Sequence, residues 1–217
     1  TGSIVSQPIL EKQMKQLWQK WYLGLMMVFA LNFAMANDLN HPAQVQVQQN
    51  TKDIMAVINN NGLSNPQKIQ RLNTYGDRYL DYERIAALSV GAQWKNFTPQ
   101  QKKDFISSFK EMIISMYSNT ALLAAKNAKI NVLGKNNSAN SASKATVYTQ
   151  ITSNKNKSYA VDYQMYKSGS VWKIYNINVE GASLVTVYRN QFNEIIQKQG
   201  IDGLITALRN KAIKKVS

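Results

Sequence analysis

The sequence contains no cysteine. Disulfide bonds, iron–sulfur ligation, thiol nucleophiles and cysteine-type zinc sites are therefore excluded. A chain of 217 residues does not need disulfide bonds for stability, because a domain of roughly 150 residues already buries about 70% of the surface of its unfolded chain. We therefore expect an ordinary hydrophobic core.

Histidine is almost absent. The single one, His41, lies in residues 37–49, which we predict to be a flexible N-terminus because Pro42 and repeated glutamines show no sustained period. A histidine-dependent triad or zinc site is therefore not expected in the folded domain. The carboxylates form no spaced catalytic pair, and no glycine-rich phosphate-binding motif occurs. We predict that the protein is not an enzyme; the one arrangement left open is a carboxylate and a tyrosine in a pocket.

Long apolar runs are missing except near the N-terminus. After Met14, two lysines precede an apolar run over residues 23–31, and Ala34-Met35-Ala36 follows. This order is that of a secretory signal peptide with an A-x-A cleavage site. A membrane anchor is the alternative, but the wider apolar run from Trp21 to Ala36 is interrupted by Asn32 and is shorter than the ~20 residues that span a bilayer.

We therefore predict cleavage after Ala36 and export of the mature chain. Residues 14–36 are the predicted signal peptide, residues 37–49 the flexible terminus, and residues 50–217 a single domain. Residues 1–13 precede a start-like methionine and match no targeting pattern. We interpret them as an upstream extension that is not native.

Acidic residues are scarce: 12 Asp and Glu stand against 26 Lys and Arg, for a formal net charge of +14. Residues 1–36 contain three lysines and one glutamate, so the predicted mature chain carries +12. Such a balance usually indicates an anionic partner. Nucleic acid is not expected, because the chain is exported and has no arginine-rich run or nucleic-acid motif. A solvated surface and attraction to anionic headgroups or acidic proteins remain as interpretations.

Helical periodicity dominates the first half of the domain and the C-terminal region. Thr98-Pro99-Gln100-Gln101 predicts a helix start, because Thr98 can cap the amide of Gln101 while the glutamine side chain reaches back. The helix carries Phe105, Phe109 and Met112 on one apolar stripe. Near the C-terminus, Gly200 predicts the end of one helix before another begins.

Between these helical regions the period changes to two. Four segments are typical of strands in an antiparallel meander: residues 129–133, 144–152, 158–166 and 171–179. In the third strand Tyr159, Val161 and Tyr163 share one face, which we expect to point toward the helices together with Val147. The last strand is ambiguous, because Trp172 and Ile174 alternate out of phase with Ile177. The arrangement predicts an α+β domain with the sheet curled around the helices.

Two tracts carry a family resemblance. Residues 81–101 follow the pattern D-Y-x-x-I-A-x-x-x-x-G-x-x-W-x-x-x-T-P-x-Q, and residues 172–186 follow W-x-x-Y-x-x-x-x-E-G-x-S-x-x-T, with G-I-D-G-L at residues 200–204. In this order the motifs resemble the MlaC family, also called the toluene-tolerance family. Asn176 departs from the pattern, since many relatives look to carry aspartate there, which affects a local hydrogen bond but not the fold.

The resemblance implies a nuclear-transport-factor-2-like α+β fold, in which a curled antiparallel sheet of about four strands and N- and C-terminal helices surround an apolar cavity. It implies a periplasmic carrier with phospholipid as cargo and without a cofactor or metal. Such carriers move phospholipid between an outer-membrane lipoprotein and porin complex and an inner-membrane ABC transporter with MCE domains, which maintains outer-membrane lipid asymmetry.

The expected acyl-chain contacts are the residues that patterning places between the helices and the sheet: Phe109, Met112, Val147, Tyr159, Val161 and Tyr163. The alternative is a non-lipid periplasmic binding or adaptor domain of the same fold. In that case the same side chains fill the core completely.

Overall fold

The structure is a computed structural model that describes residues 39–115, 122–123, 125–135 and 140–216, the last six of these as backbone only. The predicted upstream extension and signal peptide lie outside the described residues. The helices are α1 (Pro42–Asn59), α2 (Asn65–Tyr79), α3 (Tyr82–Val90), a 3-10 helix (Gly91–Asn96), α4 (Pro99–Ser115) and α5 (Leu184–Val216). The strands are β1 (Lys129–Val132), β2 (Lys144–Thr152), β3 (Ser158–Ser168), β4 (Val171–Val179) and β5 (Ala182–Ser183).

The sheet is an antiparallel meander in the order β1-β2-β3-β4-β5. The predicted α+β class and the four long strands are confirmed, and a two-residue fifth strand is added. Short links between consecutive strands give this order, because neighbours along the chain pair directly. One face of the sheet is buried against helices and the other carries mostly polar side chains.

A β-bulge explains the ambiguous pattern of β4. The register pairs Gln164 with Asn176 but Met165 with Ile174, so Tyr175 is an extra residue on β4. An extra residue reverses the alternation of side chains along a strand. Ile174 before the bulge and Ile177 after it therefore both point to the buried face, and both are buried.

The N-terminal helix corrects the prediction of a flexible terminus. The chain is helical from Pro42 onward, and His41 caps the helix: its Nδ1 accepts a hydrogen bond from the Ala43 N–H at 3.2 Å, while Gln44 Oε1 accepts from the His41 N–H at 3.1 Å. His41 Nε2 donates to the carbonyl of Ser141 at 2.9 Å. The sole histidine is therefore part of the folded domain.

Helix α1 crosses the buried face of the sheet, where it packs against β1, β2 and β4. Two of its glutamines bind backbone groups. The Gln46 amide donates to the carbonyl of Trp172 and accepts from the N–H of the same residue, both at 2.7 Å. The Gln44 amide donates to the carbonyl of Leu133 at 3.3 Å, just beyond the end of β1. Side chains of α1 thus bind backbone groups at both β4 and the end of β1.

The E-G pair of the second tract forms the tight turn between β4 and β5. Glu180 and Gly181 have φ of 51° and 79°, and the flanking residues Val179 and Ala182 are paired. Two consecutive residues with positive φ are the requirement of a two-residue hairpin turn. The Glu180 carboxylate also accepts a hydrogen bond from the N–H of Ala160 on β3, which holds the turn against the sheet.

Helix α5 is broken at Gly200, whose φ of 73° and ψ of 179° are not helical, in agreement with the predicted stop. The segment after the break is attached to α4. Gln101 Nε2 donates to Asp202 Oδ1 at 2.9 Å, and Arg209 lies 3.1 Å from Asp104. The segment after Gly200 and α4 therefore pack against each other.

Candidate functional site

The buried face of the sheet brings together the strand residues that the sequence singles out. Val147 and Val161 are fully buried and Tyr163 is 1% exposed. Val147 lies directly opposite Tyr163 on the neighbouring strand, and Tyr159, near the start of β3, is half-buried. The four side chains share one face because they occupy alternate positions in paired strands.

The opposite wall consists of helices. Phe109 and Met112 are on α4 and are buried. The Phe109 ring stacks on Phe105, with centroids 5.9 Å apart, and meets Tyr188 and Phe192 of α5 edge-on at 5.4 and 5.8 Å. Phe109 is therefore part of an aromatic cluster between α4 and α5, whereas the strand residues lie on the sheet.

The interior between these walls carries little charge. Among the described residues, Lys68 is the only buried charged side chain, and its Nζ donates to the carbonyl of Ile58 at 2.7 Å. That contact joins the start of α2 to the end of α1, where it satisfies a terminal helix carbonyl. Within the part of the chain that the structure describes, no three His, Asp or Glu side chains form a group that could hold a metal ion. The interior thus offers apolar surface.

Helix α1 contributes to this interior, and its first half, before Thr51, was missed in the sequence. Val47, Ile54, Met55 and Ile58 are all buried. Their spacing of three, four and seven residues places them on one helix face. The spacing begins inside the glutamine-rich segment that we interpreted as flexible, and it continues into the helical periodicity that we predicted for the first half of the domain.

Asn176 forms a hydrogen-bonded centre where β4 meets the start of α5. Its Oδ1 accepts from the Val185 N–H at 3.3 Å and from the Ser183 hydroxyl at 3.2 Å, while its Nδ2 donates to Gln164 Oε1 at 3.1 Å. Ser183 Oγ in turn accepts from the Thr186 N–H at 3.3 Å. The S-x-x-T part of the second tract is therefore a helix cap, and Asn176 supports it from the sheet.

The other face of the sheet carries a group of cations and tyrosines that sequence reasoning did not connect. The guanidinium of Arg84 lies 4.7 Å from the ring centroid of Tyr166 and 4.4 Å from that of Tyr175. The Tyr166 hydroxyl donates to Asp81 Oδ2. This hydrogen bond, followed by burial, raises the pKa of Tyr166 above its usual value. The residues come from α3, β3 and β4, so only the tertiary structure brings them together.

None of the helices in the described part of the chain combines the length and the hydropathy needed to cross a bilayer.

Asp162 is on the outer face of β3, and burial raises the pKa of its carboxyl group, while the charge of Lys135 opposes that shift. The charged form of Asp162 is thus disfavoured by its surroundings.

Comparison with known proteins connects the chain to one family. The model of the family described as MlaC protein matches residues 48–210. The toluene tolerance protein ttg2D of Pseudomonas putida is 32% identical over 105 residues, which cover 48% of this chain and 47% of that protein. The intermembrane phospholipid transport system binding protein MlaC of Haemophilus influenzae is 26% identical over 146 residues, which cover 64% of this chain and 65% of that protein. The matches thus span about half to two thirds of these relatives.

A solved structure is similar over a larger part of the chain. A phospholipid-binding protein from Ralstonia solanacearum, solved in complex with a phospholipid, superposes with a TM-score of 0.71 and 25% sequence identity. The superposition covers 82% of this chain and 100% of that one. The two chains therefore have the same fold.

Proposed function

This chain belongs to the MlaC family, and we propose that it is a carrier that binds one phospholipid and moves it between membranes. The observation that carries the proposal is the likeness, over the full length of the Ralstonia solanacearum chain, to a protein solved with a phospholipid bound. The apolar interior supports it, because acyl chains need a surface without unpaired charge.

The proposed acyl contacts are the residues of the two walls. Val147, Val161 and Tyr163 would line the sheet side, with Tyr159 nearer the start of β3. Phe109 and Met112 would line the helix side. Three of these side chains are fully buried: Val147, Val161 and Phe109. Tyr163 and Met112 are 1% exposed, and Tyr159 is half-buried. An acyl chain that contacts them would therefore lie in the apolar interior, away from water.

The energetics of lipid transfer explain why such a carrier would work by docking. Two acyl chains of about sixteen carbons hide ~25 kcal/mol of apolar surface from water, at ~0.8 kcal/mol per CH₂. This upper bound exceeds the ~18 to 21 kcal/mol at which non-covalent affinities saturate. Release into water is therefore far too slow, and a partner must offer a second apolar site into which the lipid passes directly.

The proposed setting is the periplasm, where the carrier would exchange lipid with two partners. These are an outer-membrane lipoprotein and porin complex and an inner-membrane ABC transporter with MCE domains. Support comes from family membership, from the predicted signal peptide and from the excess of basic residues. The direction of transport is a separate question, because docking as described works equally in both directions.

The test is extraction of the protein purified from periplasmic extract without detergent. Organic solvent should release about one phospholipid per chain, identified and counted by mass spectrometry against a protein of similar size treated in the same way. A chain that carries no lipid, and takes up none from phospholipid vesicles, would contradict the proposal. That result would favour the alternative of an adaptor domain with a solid core.

A further inference from the structure

The outer face of the sheet carries a row of side chains that the proposed lipid site does not use. Lys144, Tyr166 and Lys173 are direct neighbours on β2, β3 and β4. Direct neighbours in a sheet project from the same face. This face is the outer one, because Met165, the residue before Tyr166 on β3, is buried. With Arg84 and Tyr175 they form what we call the outer-face cluster.

The guanidinium of Arg84 is held in place by its neighbours. It contacts the rings of Tyr166 and Tyr175, whose centroids are 6.2 Å apart. Tyr166 is fixed in turn by its hydrogen bond to Asp81. Stacking between aromatic rings restricts the guanidinium to one orientation, so less conformational entropy is lost when it binds a partner.

The cations of the cluster have no carboxylate of their own. Asp81 is engaged elsewhere: it accepts from the Tyr166 hydroxyl with Oδ2 and from the backbone N–H of Arg84, as a helix cap, with Oδ1 at 2.9 Å. Among the residues that the structure describes, the ion pairs are Lys110 with Asp77, Lys198 with Glu194 and Arg209 with Asp104. The side chains of Arg84, Lys144 and Lys173 thus present positive charge outward.

The chemistry of the cluster fits a protein partner that presents carboxylates. Arginine binds a carboxylate through two parallel N–H···O bonds, and Tyr and Arg are the residues most enriched at the energetic centres of protein interfaces. The lysines lie on either side, where charge accelerates association with an acidic surface. A sheet face is also open and extended, unlike the concave sites that enclose small molecules.

A membrane surface fits less well. Peripheral binding to lipid combines basic residues with apolar side chains that enter the bilayer. In the part of the chain that the structure describes, the exposed large apolar residues are Val45 and Leu123, and neither belongs to the cluster. Three cations without an apolar anchor hold a protein only weakly on an anionic bilayer.

We propose that the outer-face cluster is a docking site for an acidic protein surface. Its strand residues are on the opposite side of the sheet from the apolar interior. The inference does not depend on the nature of the cargo. It adds to the proposed function a specific surface for the docking that lipid transfer requires.

The test compares variants of the protein purified from periplasmic extract. Arg84→Gln removes the central charge, Arg84→Lys keeps the charge but loses the planar group, and the pair Lys144→Glu and Lys173→Glu reverses the flanking charges. The matched control is Lys155→Glu with Lys157→Glu. These exposed lysines are in the turn between β2 and β3, at the other end of the sheet. The control alters net charge by the same amount as the flanking pair.

Three probes are used: the purified MCE domain of the transporter encoded in the same genome, poly-L-glutamate of defined length, and phosphatidylglycerol vesicles. We expect Arg84→Gln, and likewise the pair Lys144→Glu and Lys173→Glu, to weaken binding to the MCE domain about tenfold or more. If that domain is not the partner, the same loss is expected in binding to poly-L-glutamate. Arg84→Lys should lose most of the same affinity, and the control should change it less than about twofold.

Each other result contradicts the proposal. Equal losses in cluster and control variants would mean that only net charge acts, and unchanged binding to both carboxylate probes would mean that the cluster is not a docking site. A loss confined to vesicles would assign the cluster to a membrane surface. Circular dichroism and extracted lipid are measured on every variant. A cluster variant that keeps its fold and its lipid separates failure of docking from failure of the proposed cargo function.

Discussion

Gln101 connects the two tracts of the family pattern through a single side chain. Its Oε1 accepts from the Thr98 N–H at 3.0 Å, which closes the capping box of α4, and its Nε2 donates to Asp202 at 2.9 Å. The first contact is local and was predicted from the sequence. The second attaches the segment after Gly200 to the start of α4, across 101 positions of the chain.

Replacement of Gln101 tests both contacts. Gln101→Ala should lower the free energy of unfolding by about 1–2 kcal/mol, because a capping residue and a side-chain hydrogen bond are each worth ~1 kcal/mol. Gln101→Glu keeps a capping group but places a carboxylate against Asp202, and adding Asp202→Asn should restore part of the lost stability. Urea unfolding of the four proteins measures the effect. Equal stability of the single and double glutamate variants would show that the Asp202 contact contributes nothing.

Val161 tests whether the interior holds lipid or is a solid core. Val161→Trp adds bulk to a fully buried side chain, which in a solid core costs typically ~1–3 kcal/mol. If acyl chains occupy the space, the variant should lose most of its extracted phospholipid with a smaller loss of stability. Thermal melting and lipid extraction are performed on the same sample.

The control for Val161 is Ala160→Trp, the next residue on β3, which is exposed on the outer face. It should retain its phospholipid. A sharply lowered melting temperature of Val161→Trp, together with no lipid in the parent protein, would favour the adaptor with a filled core.

Asp162 predicts a pH-dependent difference in stability. Burial raises its folded-state pKa above the ordinary value of 3.8, so its contribution to stability is fully present below that value and is lost as pH rises through the folded-state pKa. Asp162→Asn resembles the protonated form. The variant should therefore melt above the parent at pH 7, and the difference should disappear toward pH 3. A difference that is constant between pH 3 and pH 7 would contradict this assignment.

The mature N-terminus is the fourth prediction. The lysines, the apolar run and Ala34-Met35-Ala36 predict a mature chain that starts at Asn37. Intact-mass measurement on periplasmic extract should find this species and no form that contains residues 21–29. A longer form that sediments with membranes would mean that the chain is anchored, and an anchored chain cannot carry lipid between membranes.

The parts of the fold that depend on local pattern could be predicted from the sequence. The alternation of Val161 and Tyr163 places both on the buried face, and the Thr98 capping box marks the start of α4 correctly. Both signals are complete within a few residues. They do not depend on which distant segment packs against them.

The missed parts depend on tertiary contacts or on uncommon residues. Histidine is not among the preferred N-cap residues, so the start of α1 at His41 and Pro42 was not recognised. The bulge at Tyr175 has no glycine to mark it. Arg84 meets Tyr166 only because the chain before α3 runs along β4, where the Asp81 N–H donates to the carbonyl of Ile174 at 2.9 Å.

The glutamines of α1 have a consequence for self-association. A strand edge with free N–H and C=O groups is a template for a strand of another molecule, and β5 covers β4 only at Asn178 and Val179. Gln46 occupies both of these groups at Trp172, and Leu80 bridges to Ile174 further along the same strand. A chain shortened to begin at Asn50 would leave the Trp172 groups open. We infer that the polar segment first interpreted as flexible keeps two molecules of this protein from pairing through their sheet edges.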